Sequence, residues 1–412
     1  MSKLRLLGAL APALLMLAAC AGPTPSTMDN QARAAALARS TVLVDTHIDV
    51  PFRLYRKPED VSVATPDGDF DYPRAAAGGL DALFMSIYIP ADVDTAGEAR
   101  PFADGLIDAV ETLATDHPGK FAIATCTGDV TKLKGTGKLA FAMGMENGGP
   151  IEGSLDNLDH FVARGVRYVT LTHSRSNHIA DSSYDLNERW GGLSPFGTTL
   201  VPAMNQRGAM IDVSHVSDRA FWQILDLSDV PVIASHSSLR HFTPGFQRNM
   251  DDAMVKALSD NGGVIQINFG SGFLTAAARE YSNAREQATL RFRASEGLAN
   301  GDPRLLEFAR AYTRENPYPF ADLDDVLNHI DRAVDLAGID HVGIGSDYDG
   351  VGDSLPSGLK DVSEYPNLIA GLLDRGYSET DITKILSGNL MRVWGEVEAY
   401  AAQAGYPPRC RQ

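Results

Sequence analysis

Short apolar runs rich in β-branched residues recur along the chain, and stretches of helical period separate most of them. The runs are 41–47 (TVLVDTH), 80–90 (LDALFMSIYIP), 138–147 (KLAFAMGMEN), 166–174 (VRYVTLTHS), 208–215 (GAMIDVSH), 230–237 (VPVIASHS), 262–270 (GGVIQINFG) and 341–350 (HVGIGSDYDG). Helical stretches fall at 102–116, 155–165, 198–208, 218–228 and 251–262, and a further helix at 30–40 leads into the first run. Runs that are nearly continuously apolar suit strands buried on both faces, and their alternation with helices is the βα pattern of a parallel sheet. Eight such strands in this order predict an α/β fold, a (β/α)8 TIM-type barrel whose site would lie at the C-terminal ends of the strands.

The pattern breaks once. Residues 271–324, between the seventh and eighth predicted strands, carry two extra helical stretches (NAREQATLRFRASEGLAN and PRLLEFARAYTREN). A connection that long inside one domain reads as a helical insertion, either a lid or a homodimer surface. The rest, 31–412, reads as a single catalytic domain with no repeat and no low-complexity tract.

The N-terminus follows different rules. Lys3 and Arg5 precede an apolar run that ends at Cys20. The run falls short of the about 20 residues a bilayer span needs and fits a signal peptide over 1–19. LAAC resembles a bacterial lipobox, which makes Cys20 the lipidated residue and 20–30 a polar tether. With Ala21 rather than Asp after the cysteine, the expected location is extracytoplasmic, on the periplasmic face of the outer membrane. The formal charge of −17 argues against a nucleic-acid partner. Cys126 ends the apolar FAIATC and reads as a small buried hydrophobe, whereas Cys410 lies in a polar tail. Two distant cysteines make no disulfide framework, and a bridge between them is left open.

Chemistry concentrates at the strand ends. His47 and Asp49 close the first run, Glu146 the third, His173 the fourth, His215 the fifth, His236 the sixth and Asp347 the eighth. In a strand His47 and Asp49, two apart, share a face. Each residue alone has an ordinary reading as a hydrogen-bonded or turn side chain. A barrel, however, sends all of them into one mouth. Crowding imidazoles and carboxylates there costs desolvation and repulsion that a bound cation relieves. Nitrogen and oxygen donors without cysteine suit zinc, with manganese, cobalt or iron open. So many ligands exceed the needs of one catalytic zinc. Two ions about 3.5–4 Å apart would use them, with Glu146 as the bridge and a bridging hydroxide as nucleophile.

The motifs DTHIDVP, GMENG, TLTHS, DVSH, ASHSS, RNMDD and GIGSDYDG, in this order, resemble the membrane (renal) dipeptidase family, binuclear zinc peptidases of the amidohydrolase-type barrel superfamily. The resemblance covers about residues 43–394. It implies that His47 and Asp49 bind one Zn2+, that His215 and His236 bind the other, and that Glu146 bridges them. It further implies that His173 stabilises the oxyanion, that Arg248 holds the substrate's carboxylate, and that Asp347 moves the proton from attacking water to leaving amine. Arg240 is a rival for the arginine's role, and His241 in the same loop is open. Ile48 stands where the mammalian enzymes have Asn, and the mammalian cysteines have no counterpart here. The expected substrates are small dipeptides, with a D-residue at the C-terminal position accepted by analogy. A related amidohydrolase acting on N-acyl amino acids, lactones or β-lactams is the alternative, and a lipoprotein that only binds is a third reading.

Overall fold

The computed structural model describes Met1 and residues 29–185 and 187–411. Cys20, nearly all of the expected signal segment and most of the tether lie outside the described residues. Nine parallel strands form the sheet: β1 Val44–Ile48, β2 Ala82–Tyr88, β3 Phe121–Ile123, β4 Leu139–Glu146, β5 Val166–Thr170, β6 Met210–Asp212, β7 Ile233–Ser237, β8 Val264–Ile267 and β9 Val342–Ile344. The ring runs β1-β2-β4-β5-β6-β7-β8-β9, and β3 lies off it, paired with the start of β4. Each predicted run contributes one ring strand. The additional β3 comes from FAIATC; a three-residue strand with one neighbour leaves too little periodicity to read. An Ile48–Tyr348 bridge closes the ring between β1 and β9, with Asp49 N donating to Tyr348 O at 2.9 Å and Asp347 N to His47 O at 3.1 Å. The result is a (β/α)8 TIM-type barrel.

Alternate residues fill the two sides of the strands. Val44, Ala82, Phe84, Ala140, Ala142, Tyr168, Met210, Ile233 and Val264 pack inside the barrel, where Trp394 and its neighbours on the helix Asn389–Gln403 plug the N-terminal end. Leu83, Met85, Phe141, Met143, Val169, Ile211 and Ile265 face outward into the helical layer. On β4 the inward phase of Ala140 and Ala142 continues through Gly144 to Glu146, so simple alternation delivers that carboxylate to the mouth.

β1 and β7 behave differently. Val44 is inside but Ile48, four residues on, is outside, because the pairing slips between Asp45 and Ile48. The register of β7 against β8 slips in the same way between Ala234 and Ser237. Each extra residue is a β-bulge, which reverses the inward–outward phase of the residues beyond it. Without them, His47 and His236 would point into the helical layer. Buried aspartates pin both bulges: Asp45 accepts from His47 N at 2.9 Å, and Asp212 accepts from Ser235 N at 2.8 Å.

After β8 the chain forms the short helix Ser271–Leu274 and then a helical hairpin, Ala276–Ser295 and Pro303–Glu315, in the stretch read as an insertion. Phe292 stacks on Phe308 at 4.4 Å, and of the hairpin helices' residues only Ala278 is buried. The barrel's own helix, Leu323–Ala337, comes next. At the opposite end Cys126 is disulfide-bonded to Cys410 across a sequence separation of 284, so the buried cysteine is also a staple for the tail. Among the described residues no helix is long and apolar enough to cross a membrane.

Candidate metal centre

Glu146 is the hub of the mouth. Its Oε1 lies 3.1 Å from His215 Nε2, 3.3 Å from His236 Nε2 and 3.5 Å from His173 Nε2, while Oε2 lies 3.6 Å from His47 Nε2. Asp49 Oδ2 sits 3.4 Å from the same His47 nitrogen. The ligand atoms fall into three overlapping groups, each within 4.8 Å: His47, Glu146 and His236; Glu146, His173 and His215; and His47, Asp49 and Asp347. All seven ionisable strand-end residues of the sequence pattern therefore converge on one point. Asp49 does so from outside its strand, as the residue before the helix Val50–Arg56. His173, His215 and Asp347 lie on the loops just past β5, β6 and β9.

Backbone strain collects here as well. Asn147, His215, Asp347 and Asp349 all have φ between 64° and 76°, left-handed values that L-residues avoid. Of the described non-glycine residues with positive φ, only Glu152 lies away from these strand ends.

Hydrogen bonds fix which nitrogen each imidazole presents. Tyr168 donates its hydroxyl hydrogen to Thr46 O at 3.0 Å, so its oxygen accepts from His47 Nδ1–H at 2.8 Å. Ser235 donates to Asp212 at 2.6 Å and accepts from His236 Nδ1–H at 2.7 Å. In the neutral form each ring therefore turns a bare Nε2 to the hub; the tautomers are assigned from these partners. His47 Nε2 is buried with no hydrogen-bond partner, and His215 and His236 bring two Nε2 atoms within 2.9 Å. Burial, then the charges of Arg248 and neighbouring imidazoles, hold both His215 and His236 well below the ordinary histidine range, in the neutral form that binds metal. An orphaned ring nitrogen, paired nitrogens and two carboxylates match the donor set of a divalent transition metal. The residues fit the group.

Next to the hub, Asp347 accepts from Asn268 Nδ2 at 2.7 Å. Burial, with Asp49 and Glu146 adding to it against the opposing pull of His47, raises its pKa well above the carboxylate range. Arg248 is 3 % exposed; it donates to Ser237 Oγ at 2.7 Å and to His236 O at 2.8 Å, and its Nε is buried without a partner. Among the described residues it has no carboxylate within ion-pair distance. The rival Arg240 is held by both oxygens of Asp218 at 2.8 and 2.6 Å, and His241 is exposed, beside Phe242. Ile48 is buried in the outer layer, away from the hub.

Sequence reasoning passed over Tyr88, Tyr168, Asn268 and the aromatic wall of Tyr184, Phe246 and Phe273. Tyr88 and Asn268 end the two ring strands that carry no ionisable residue, and the same strand-end criterion finds them once it includes neutral polar groups. Tyr88 meets His173 edge-on at 4.7 Å.

The chain is similar to known dipeptidases. The chain is 32% identical over 375 residues to dipeptidase 3 of Mus musculus, covering 89% of this chain and 66% of the relative, just under two thirds. It is 32% identical over 341 residues to dipeptidase aclJ of Aspergillus oryzae, covering 81% and 71%. The crystal structure of the probable dipeptidase PvdM from Pseudomonas aeruginosa superposes with a TM-score of 0.79 at 32% identity, covering 90% of this chain and 99% of that one. With the sequence profile of the membrane dipeptidases matching residues 31–407, this chain belongs to the membrane dipeptidase family, peptidase family M19.

Proposed function

We propose that this protein is a metallo-dipeptidase that uses two zinc ions to hydrolyse the single peptide bond of small dipeptides, including those with a D-residue at the C-terminal position. One observation carries the reading. Glu146 lies within 3.1–3.6 Å of the Nε2 atoms of His47, His173, His215 and His236, beside a buried arginine that lacks a carboxylate. His47 and Asp49 would hold one ion, His215 and His236 the other, with Glu146 between them. Bound there, the pair would activate a water and polarise the scissile carbonyl.

The chain's own residues supply the rest. Arg248 offers its free guanidinium edge to the substrate's C-terminal carboxylate and fixes which bond faces the centre. His173, whose Nδ1 is buried without a partner, is placed to stabilise the developing oxyanion. Asp347, held on Asn268, takes the proton of the attacking water at its carboxylate and returns it to the leaving amine. An N-terminal lipid at Cys20 would tether the enzyme to the periplasmic face of the outer membrane, where small peptides are within reach.

The test is a panel of L-L and L-D dipeptides, N-acyl amino acids, lactones and β-lactams assayed with zinc-loaded and chelator-stripped protein. Zinc-dependent turnover of the dipeptides above the other classes is expected. Full dipeptide turnover by the stripped protein overturns the metal reading, and turnover confined to acyl amino acids or lactones transfers the protein to the related amidohydrolases.

A further inference from the structure

At the base of the helical hairpin a second arginine faces the mouth. Arg279 Cζ lies 3.9 Å over the ring of Phe246, close enough to be a strong cation–π contact. Phe246 in turn lies 5.7 Å from Phe273 and 6.0 Å from Tyr184, and Tyr184 lies 5.8 Å from His215. Arg248 covers the other side of the wall, its Cζ 5.3 Å from the Phe273 ring. An aromatic layer thus connects the two guanidinium groups at one side of the centre.

Three other arginines of the mouth loops are engaged. Arg53 is held by Asp349, Arg175 by Asp92 and Arg240 by Asp218. Arg279 is half-buried and, among the described residues, has no carboxylate within ion-pair distance. In a protein of formal charge −17, an arginine left without a carboxylate beside the site is available for an anionic ligand. With its α-carboxylate on Arg248, a dipeptide would reach Arg279 by running its C-terminal side chain along the Phe273–Phe246 wall.

We propose that Arg279 makes this subsite selective for an acidic C-terminal side chain, so that the preferred substrates are dipeptides ending in aspartate or glutamate. The proposal rests on the dipeptidase reading and deepens it. The apolar ring faces carry the methylenes, and Arg279 supplies the second charge-assisted hydrogen bond.

The experiment compares kcat/KM of the zinc-loaded enzyme for Ala-Asp with Ala-Asn and for Ala-Glu with Ala-Gln, each with an L- or D-residue at the C-terminus. The members of each pair are nearly isosteric and differ in charge and in one oxygen replaced by an NH2 donor. Wild type is expected to favour the acid by about 10- to 100-fold, the range one charge-assisted contact gives. In Arg279→Gln the ratio falls below about twofold, while Arg279→Lys keeps a clear preference for the acid. Equal turnover of acid and amide by wild type, or an undiminished ratio in Arg279→Gln, overturns the subsite alone. No turnover of any of these dipeptides overturns the dipeptidase reading and the subsite with it.

Discussion

Replacing Tyr168 by phenylalanine removes one oxygen and leaves the ring in place. The ring must stay, because a Cβ on Gly144 would fall 1.9 Å from its Cζ; the strand leaves out a side chain there to make room for it. The hydroxyl does two things at once, accepting from His47 Nδ1 at 2.8 Å and donating to Thr46 O at 3.0 Å. Without it, a fully buried N–H loses its acceptor, which costs about 1–3 kcal/mol. His47 can escape this cost by moving the proton to Nε2, where Asp49 lies 3.4 Å away and would accept it. That tautomer blocks the ligand atom. Metal binding then has to reverse the switch, so the cost appears in affinity, and the expected weakening is about 10- to 100-fold, or about 1.4–2.7 kcal/mol. The assay is zinc competition against a chromophoric chelator, with a thermal melt of the metal-free protein alongside. A zinc affinity within threefold of wild type, coupled to a lower melting temperature, would show that the hydroxyl only supports packing, and the reasoning would fail.

Asp347→Asn keeps an acceptor for Asn268 but cannot carry a proton, so kcat is expected to fall by about 10²- to 10⁴-fold at unchanged zinc content. Loss of zinc from the variant, read by atomic absorption, would make Asp347 a ligand instead. Asp69, beside buried Asp349, has a pKa raised to about 6 by burial and by that neighbour's charge, so its neutral form is favoured in the folded state. Stability therefore falls as pH rises from about 4 to about 6. Asp69→Asn should raise the melting temperature at pH 8 and leave it unchanged at pH 4; an equal shift at both would refute the titration. Cys410→Ser opens a loop of 284 residues, for which chain entropy allows a loss of up to about 5 kcal/mol. The tail's other anchors, Thr125 to Arg409 O at 2.7 Å and Asp129 to Arg411 N at 2.9 Å, reduce that. A fall of several degrees in the melt, matched by reductant on wild type and absent for reductant on the variant, is the expected pattern.

The barrel was legible because its determinants are local. Each ring strand is a short apolar run between turn signals, and period two along β4 suffices to place Glu146 inside. Other features depend on pairs far apart in the chain. Whether Arg240 or Arg248 is free is decided by Asp218, on a different helix, and the partner of Cys126 lies 284 residues away. The hairpin's arginines look alike in sequence, and only the placement of Phe246 distinguishes Arg279.

The histidines are the instructive case. Same-face spacing of His47 and Asp49 picked out two side chains that do converge, but for an incomplete reason. Asp49 is not in the strand, and alternation counted from Val44 would aim His47 at the helices. The bulge turns it inward, and the bulge is held by Asp45, which also accepts from Ser346 N at 3.1 Å and Tyr365 OH at 2.6 Å. Asp212 does the same for His236, accepting from Ser235 and Ser214. Each of these aspartates precedes a histidine of the centre by two or three residues in sequence, in VDTH and IDVSH, yet Asp212 serves the histidine of the next strand as well as its own loop. A buried carboxylate that spends its oxygens on irregular backbone stabilises a local departure from the sheet. Here both departures turn imidazoles toward Glu146, so the aspartates shape the centre without belonging to it.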